Sequence, residues 1–414
     1  MRILAVAELY PWPAVDGYRQ RLEHMLGGLA SAGTVDLFSL APVDGAPSQP
    51  PPIDGLGEVV TSPTVHLPSG EWMRTWVRSD APRRLLTFDW TEARRELAAW
   101  GPEPDVVWYS LLDTWVAVGD LFPHAASIVD FDNLENLHMR LRRRRPPRFA
   151  PGSAVAEKVR GSARWMASRS LDVVDERRWD AGQRRCAEEV DRVVVCSELD
   201  VERSGCDNAV AVPNGADRPS GVDTDRTQLR GDVPTMLFVG ALDYEPNREA
   251  VEWMVREVLP LIRRRLPAAV LRIVGRGAER VDWVAPVAGV DLVGEVDEIR
   301  PELDRADVSV VPIRAGAGTR LKVVEALAHH IPLVTTTVGT EGIDVVDAQH
   351  GQIADDERTF ADACLRLLTD GALRQQMADS GAELFEQRYT WDAIGQRVAE
   401  LALEVGGEGD RPAS

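Results

Sequence analysis

The chain has 414 residues, 44% of them hydrophobic, and a formal net charge of −19. That length favours two domains with separate cores, and the acid excess argues against nucleic acid as a partner, because phosphate backbones need a basic footprint. No uninterrupted apolar run approaches the length needed to span a bilayer or to form a secretory signal, so the cytoplasm is the expected compartment.

In chain order, Met1 to Ala7 (MRILAVA) opens with a strand over Ile3 to Ala7, and further strands are expected at Val35 to Leu40, Asp105 to Tyr109, Ser127 to Phe131 and Arg192 to Cys196. Helical or loop segments separate them, which implies a mostly parallel α/β sheet. Pro42 to Gly55 reads as a surface loop and Asp217 to Pro234 as the interdomain connector. The second half repeats the pattern, with strands near Met236 to Gly240, Val270 to Val274, Asp291 to Val293, Val308 to Pro312 and Leu333 to Thr336, and a helix from Asn247 to Arg265. Tyr389 to Val405 has a helical pattern, and the tail from Gly406 to Ser414 is expected to be disordered. Cys186, Cys196, Cys206 and Cys364 lack metal-type spacing and are too sparse for a disulfide framework, so reduced thiols are expected. Arg140 to Ser170 holds nine arginines and Lys158 against Glu157 alone. This basic island is read either as peripheral contact with an anionic membrane surface or as a solvated loop.

The most informative stretch is Arg314 to Ala328 (RAGAGTRLKVVEALA). It follows the apolar run Ala306 to Ile313 (ADVSVVPI), which reads as a strand buried on both faces. Gly316 and Gly318 let backbone approach a ligand, Thr319 is the expected N-cap, and the helix that follows carries Arg320, Lys322 and Glu325. Its free amides would face an anion at the carboxyl ends of the strands. Lys158 and Lys322 are the only lysines of the chain, so a lysine here indicates that a compact ammonium is needed rather than a planar guanidinium. Lys322 and Glu325 share one helix face, and Leu321, Val324 and Ala328 mark the buried one. A phosphate beside Lys322 and a hydroxyl-rich group beside Glu325 describe a nucleoside diphosphate sugar.

Taken in order, VCSELD (Val195 to Asp200), VPNGAD (Val212 to Asp217), LFVGALDYEPN (Leu237 to Asn247), LRIVGRG (Leu271 to Gly277), VDLVGEV (Val290 to Val296), the Arg314 to Ala328 motif and PLVTTTVGTEGI (Pro332 to Ile343) resemble the retaining GT-B glycosyltransferases of family four, the group 1 type. Each segment is weak; seven in order are specific. The resemblance implies two Rossmann-like domains facing across a cleft. Residues 1–216 would form the acceptor side, 217–388 the donor side, and a helix at about 389–405 would cross back to the first domain. It implies donor contacts from Gly17, Gly240, Asn247, Arg276, Gly294, Gly316, Ala317, Gly318, Thr319 and Glu325, acceptor contacts from Asp16, Asn133 and Glu135, and catalytic roles for Asp132, Arg320 and Lys322. No metal or other cofactor is expected.

Four departures qualify that transfer of roles. In PWPAVDGYRQR (Pro11 to Arg21), Asp16 replaces the first of two glycines, and its charge suits an acceptor hydroxyl or amine better than a diphosphate. In VDFDNLEN (Val129 to Asn136), Asp132 occupies a position where the family has histidine, with a helix N-cap as its other reading. Ala317 stands where many members have the first of two glutamates, and Gly240 to Asn247 lacks the frequent Arg and Lys, so the diphosphate charge falls to Arg320 and Lys322, with Arg276 or Arg314 assisting. The DxD patterns Asp130-Phe131-Asp132 and Asp223-Thr224-Asp225 arise readily by chance in a chain with 66 acids. The function implied is glycosyl transfer from a nucleoside diphosphate sugar to an acceptor hydroxyl or amine with retention, in polysaccharide, glycolipid or secondary-metabolite biosynthesis. A nucleotide-sugar 2-epimerase and a degenerate nucleotide-sugar-binding protein on the same fold are the alternatives.

Overall fold

In a computed structural model of the chain, residues 1–14, 16–42, 53–143, 154–316 and 320–407 are described. The chain divides into two compact units, Met1–Val212 with Ile394–Ser414, and Pro213–Ala393.

The first unit is built on an eight-stranded sheet: β1 (Arg2–Ala7), β2 (Thr34–Pro42), β3 (Leu56–His66), β4 (Phe88–Asp89), β5 (Val106–Ser110), β6 (Ala126–Asp130), β7 (Arg192–Val195) and β8 (Ala209–Ala211). Their order is β4-β3-β2-β1-β5-β6-β7-β8, parallel except for the β3–β4 pair. The chain reverses its direction of progress between β1 and β5, which makes their carboxyl ends a topological switch point. Leu4 and Val6 of β1 pack on one face with Val107, Tyr109, Val129 and Val193, and the intervening Ile3 and Ala5 are buried as well. The strands therefore read as continuous apolar runs. β3 escapes such a reading because it carries glycine, proline and several polar residues (LGEVVTSPTVH), and its far side is covered only by the two-residue β4. The last helix, Trp391–Gly407, crosses the helix Gly17–Ala32 where Gly28 meets Gly395; a Cβ on Gly28 would lie 2.8 Å from the Gly395 carbonyl oxygen.

The second unit carries β9 (Thr235–Val239), β10 (Val270–Val274), β11 (Val290–Gly294), β12 (Val308–Val311), β13 (Leu333–Thr335) and β14 (Gln352–Ile353), all parallel, in the order β11-β10-β9-β12-β13-β14. Met236 and Phe238 of β9 enter one core while Leu237 between them enters the other, so the sheet is covered on both faces. Its switch point lies between β9 and β12. The helix expected from Asn247 to Arg265 is interrupted: Glu245–Trp253 and Leu259–Arg265 are joined by a π-helical turn, Met254–Val258. Pro260 offers no amide and its ring would crowd the carbonyl of residue 256, and the widened turn accommodates both. The stretch from Asp217 to Pro234 is tied to the second unit by Arg226, which is 2% exposed and donates to the carbonyls of Ala306 (3.0 Å) and His329 (2.8 Å). Most of the Pro42–Gly55 loop and most of the 406–414 tail lie outside the described residues, and the last helix continues to Gly407.

Candidate functional site

At the switch point of the second unit, the chain leaves β9 at Gly240, whose amide donates to Val274 at 2.9 Å. Gly275, at φ +148°, could not carry a side chain: a Cβ there would lie 2.1 Å from the Gly240 carbonyl oxygen. The helix Glu245–Trp253 then brings in Asn247, which is buried, donates its amide to the Ala241 carbonyl at 2.8 Å and accepts from the Lys322 ammonium at 2.9 Å. The Lys322 Nζ sits 4.6 Å from the centroid of the Phe238 ring. Gly240 makes the space, since a Cβ would approach Nζ to 2.8 Å and Asn247 Nδ2 to 2.9 Å. Lys322 as a residue is half-buried, but Phe238, Asn247 and Gly240 surround its charged end. Burial above all, and the Arg320 cation beside it, depress its pKa to about 7, against the opposing pull of Glu325. Burial raises the Glu325 carboxyl above its ordinary value, partly offset by Lys322.

The helix that carries these two residues is Leu321–Ala328, with Arg320 in the cap position. Val323, Val324, Ala326, Leu327 and Ala328 are its buried side; Leu321 is only half-buried, so the apolar face is rotated toward Val323 relative to expectation. Arg320 is 7% exposed and lies against Gly316, where φ is +146° and a Cβ would come within 2.9 Å of Nη2. Ala317, Gly318 and Thr319, including the expected N-cap, lie outside the described residues. Arg276 turns outward in the loop after β10 and pairs with Asp243 at 3.0 Å. Arg314 is exposed and stacks over Trp253 with 5.2 Å to the ring centroid. Gly294 ends β11 at φ +84° and accepts from Gly275 at 2.8 Å, two strands away from β9. Gly240, Asn247, Gly316, Arg320, Lys322 and Glu325 thus occupy the switch point, while Arg276, Arg314 and Gly294 border it.

At the switch point of the first unit, Ala7, Ser110 and Asp130 stand in one row across β1, β5 and β6. Arg21, 2% exposed, forks onto both Asp130 oxygens at 2.8 and 2.9 Å and donates to the Val212 carbonyl at 3.0 Å. Asp132 has φ +52° and receives the Cys196 thiol on its carbonyl at 2.9 Å, the Asn133 amide on its carboxylate at 3.1 Å, and Arg21 at 3.9 Å. The next helix starts at Glu135, so Asp132 is not its N-cap. Asp16 is an N-cap: it accepts from the Arg19 amide at 3.0 Å and pairs with the Arg19 guanidinium, while Gly17 is the first helical residue. Asp16 thus has a structural role at the helix start, with part of its carboxylate exposed. Glu135 instead joins a cluster around Arg84, whose Nε, Nη1 and Nη2 reach Asp113 (2.7 Å), Glu135 (2.8 Å) and Glu8 (3.4 Å). Neither DxD pattern presents a free pair of carboxylates: Asp130 and Asp132 face Arg21, and Asp223 and Asp225 cap a turn that includes Arg230.

Residues 233–370 match the family model described as "Glycosyl transferases group 1", a span that contains Gly240, Asn247, Arg320, Lys322 and Glu325. Glycogen synthase of Mycobacterium tuberculosis H37Rv is 25% identical over 435 residues, with 97% of this chain and 94% of the relative covered. Among solved structures, sucrose-phosphate synthase from Thermosynechococcus elongatus aligns with a TM-score of 0.67 at 19% identity, over 99% of this chain and all of the other. Anabaena HepE in complex with UDP-glucose aligns with a TM-score of 0.57 at 13% identity, over 98% and 100%. The two likenesses define the fold as GT-B. Over residues 233–370 the chain is similar to the group 1 glycosyltransferases. Several residues around the two switch points carry no motif signal. Phe238 under the ammonium reads as an ordinary strand position, and Arg21, Arg84, Asp113 and Gln183 are scattered over 163 positions and meet only in the fold.

Proposed function

We propose that the chain is a glycosyltransferase that takes its sugar from a nucleoside diphosphate donor bound at the β9–β12 switch point and passes it, with retained anomeric configuration, to a hydroxyl or amine of an acceptor held by the first unit. The observation that carries the donor reading is Lys322, an ammonium enclosed by Phe238 and Asn247 beside a second buried cation, Arg320. Two buried cations at the carboxyl ends of parallel strands suit a ligand that brings a diphosphate. HepE holds UDP-glucose on the same fold, which supports the same donor class here.

Departure of the diphosphate is the electrically costly step. Lys322 and Arg320 meet the charge that develops on the leaving oxygens, preorganised and shielded from water, where such interactions are strongest. Glu325, whose carboxyl is raised above its ordinary value by burial, faces hydroxyl groups of the nucleotide. The departing phosphate oxygen takes the acceptor proton, and Asp132, fixed by Asn133 and facing Arg21, positions rather than attacks. Nuclear magnetic resonance of the product formed from a donor of known anomeric configuration tests the reading. The same configuration in product and donor, with one diphosphate released per transfer, is expected; inversion, or sugar isomerisation without acceptor, refutes it.

Peripheral contact with an anionic membrane surface belongs to the same proposal. On the helix Val155–Glu189, Val155, Val159 and Met166 are exposed at helical spacing with Arg160, Arg164 and Arg169 on the same segment. Arg140 and Arg143 of the basic island are instead taken up by Glu176, and residues 144–153 lie outside the described ones. No helix among the described residues is long and apolar enough to cross a membrane. Co-sedimentation with phosphatidylserine vesicles that is lost in Val159→Asp supports the contact, and equal sedimentation of both proteins refutes it.

A further inference from the structure

The cluster around Arg84 is more acidic than its structural role requires. One guanidinium faces three carboxylates, those of Glu8, Asp113 and Glu135. If a single ion pair were all that the fold needed, one carboxylate would suffice; two further ones at the same switch point add repulsion. Burial above all, with Glu8 and Glu135 adding to it, pushes Asp113 up to about 7 against the pull of Arg84, and burial raises Glu8 as well.

A second observation is independent of the acids. Gln183, on the helix Val155–Glu189, is 5% exposed, and its Oε1 has no hydrogen-bond partner. It lines a small cavity together with Arg84, Asp113, Asn133, Glu135 and Trp179, with a volume of about 10 Å³. That is the space of one water-sized group. An orphaned buried acceptor costs on the order of a lost hydrogen bond and calls for a donor in the cavity. Leu111 at the cavity wall has φ +76°, a strained conformation for a branched side chain.

We propose that this cavity is the specificity pocket for a protonated amine of the acceptor, seated between Asp113, Glu135 and the Gln183 carbonyl. An ammonium is the size of the water it displaces, supplies three donors to the Glu135 carboxylate, the Gln183 carbonyl and Asp113, and brings positive charge to the cluster. Arg84 organises the carboxylates but cannot balance them. A protonated amine is no nucleophile, so the acceptor attacks through a separate hydroxyl, and the ammonium serves as a handle. The acceptor class is thus an amino sugar, an aminocyclitol or a comparable polyhydroxylated amine. The proposal rests on the glycosyltransferase reading above for its acceptor, but not on the donor site.

Binding is therefore measured on the full chain without donor, by calorimetry with a panel of amino sugars and aminocyclitols set against their N-acetylated forms at pH 6.5. The expected result is about tenfold or greater preference for the free amine in the best pair, the scale of one charge-assisted hydrogen bond. Glu135→Gln, half-exposed and tolerable to the fold, and Gln183→Leu should each bring that preference below about threefold. Equal binding of both forms, no binding of any amine, or a preference that survives both substitutions overturns the proposal and leaves the cavity to a structural water. Nucleotide binding at Lys322, measured on the same samples, reports separately on the donor reading.

Discussion

Lys322 titrates in the range where its charge decides donor affinity. Free of ligand, its pKa stands at about 7. A bound diphosphate brings negative charge to the ammonium and returns it toward the ordinary lysine value of about 10.4. The sign follows: the bound state holds the proton and the free state loses it above pH 7, so affinity is greatest below 7 and falls as pH rises toward the bound-state value. The charged fraction of free Lys322 is about one half at pH 7 and about one hundredth at pH 9, so the dissociation constant for UDP or the preferred diphosphate should rise about 50-fold, or about 2.3 kcal/mol, between these values. The terminal phosphate of the ligand titrates near 6 and contributes little in this window. Calorimetry in buffers of different ionisation enthalpy reads the linked proton directly, with uptake of about one half at pH 7 and about nine tenths at pH 8. In Lys322→Met both the slope and the uptake should vanish. A flat affinity from pH 7 to 9, or a slope that persists in Lys322→Met, refutes the reasoning.

Gly240→Ala places a methyl 2.8 Å from Nζ and 2.9 Å from the Asn247 amide; nucleotide affinity should fall by about tenfold or more while urea unfolding shifts by less than about 2 kcal/mol, the scale of local overpacking. Asp130→Asn strips the fork from a buried Arg21 and should cost about 3–5 kcal/mol in urea unfolding; a loss below about 1 kcal/mol contradicts the pairing described here. Asp16→Ala should lower stability by about 1 kcal/mol and Asp16→Ser by little, with acceptor KM unchanged in Asp16→Ser, because the residue works as a helix cap.

Much of this fold is legible in the sequence. The central strands were legible because burial on both faces leaves runs such as LFV in β9 and VSVV in β12. β3 escapes the reading because Gly57, Ser62 and Pro63 interrupt its valines, and β8 and β14 because three or two residues carry no periodicity. In the site, Lys322 stood out as one of two lysines, and Gly240, Asn247 and Glu325 lie in contiguous motifs. The capping role of Asp16 is not legible in the sequence, which records a charge beside a glycine but not whether the next helix uses it. The Arg84 cluster was illegible for a different reason: Glu8, Arg84, Asp113, Glu135 and Gln183 come from five distant segments that only the parallel sheet and the long helix bring to one place.

The central claim is that the β9–β12 switch point binds a nucleoside diphosphate through Lys322. Thermal unfolding of wild type and Lys322→Met with millimolar UDP, GDP, dTDP, ADP and CDP tests it most directly, since a micromolar ligand at that concentration adds about 4 kcal/mol. The account predicts a clear upward shift of Tm with at least one diphosphate in wild type, and its near-complete loss in Lys322→Met. No shift with any nucleotide, or the same shift in both proteins, would contradict it.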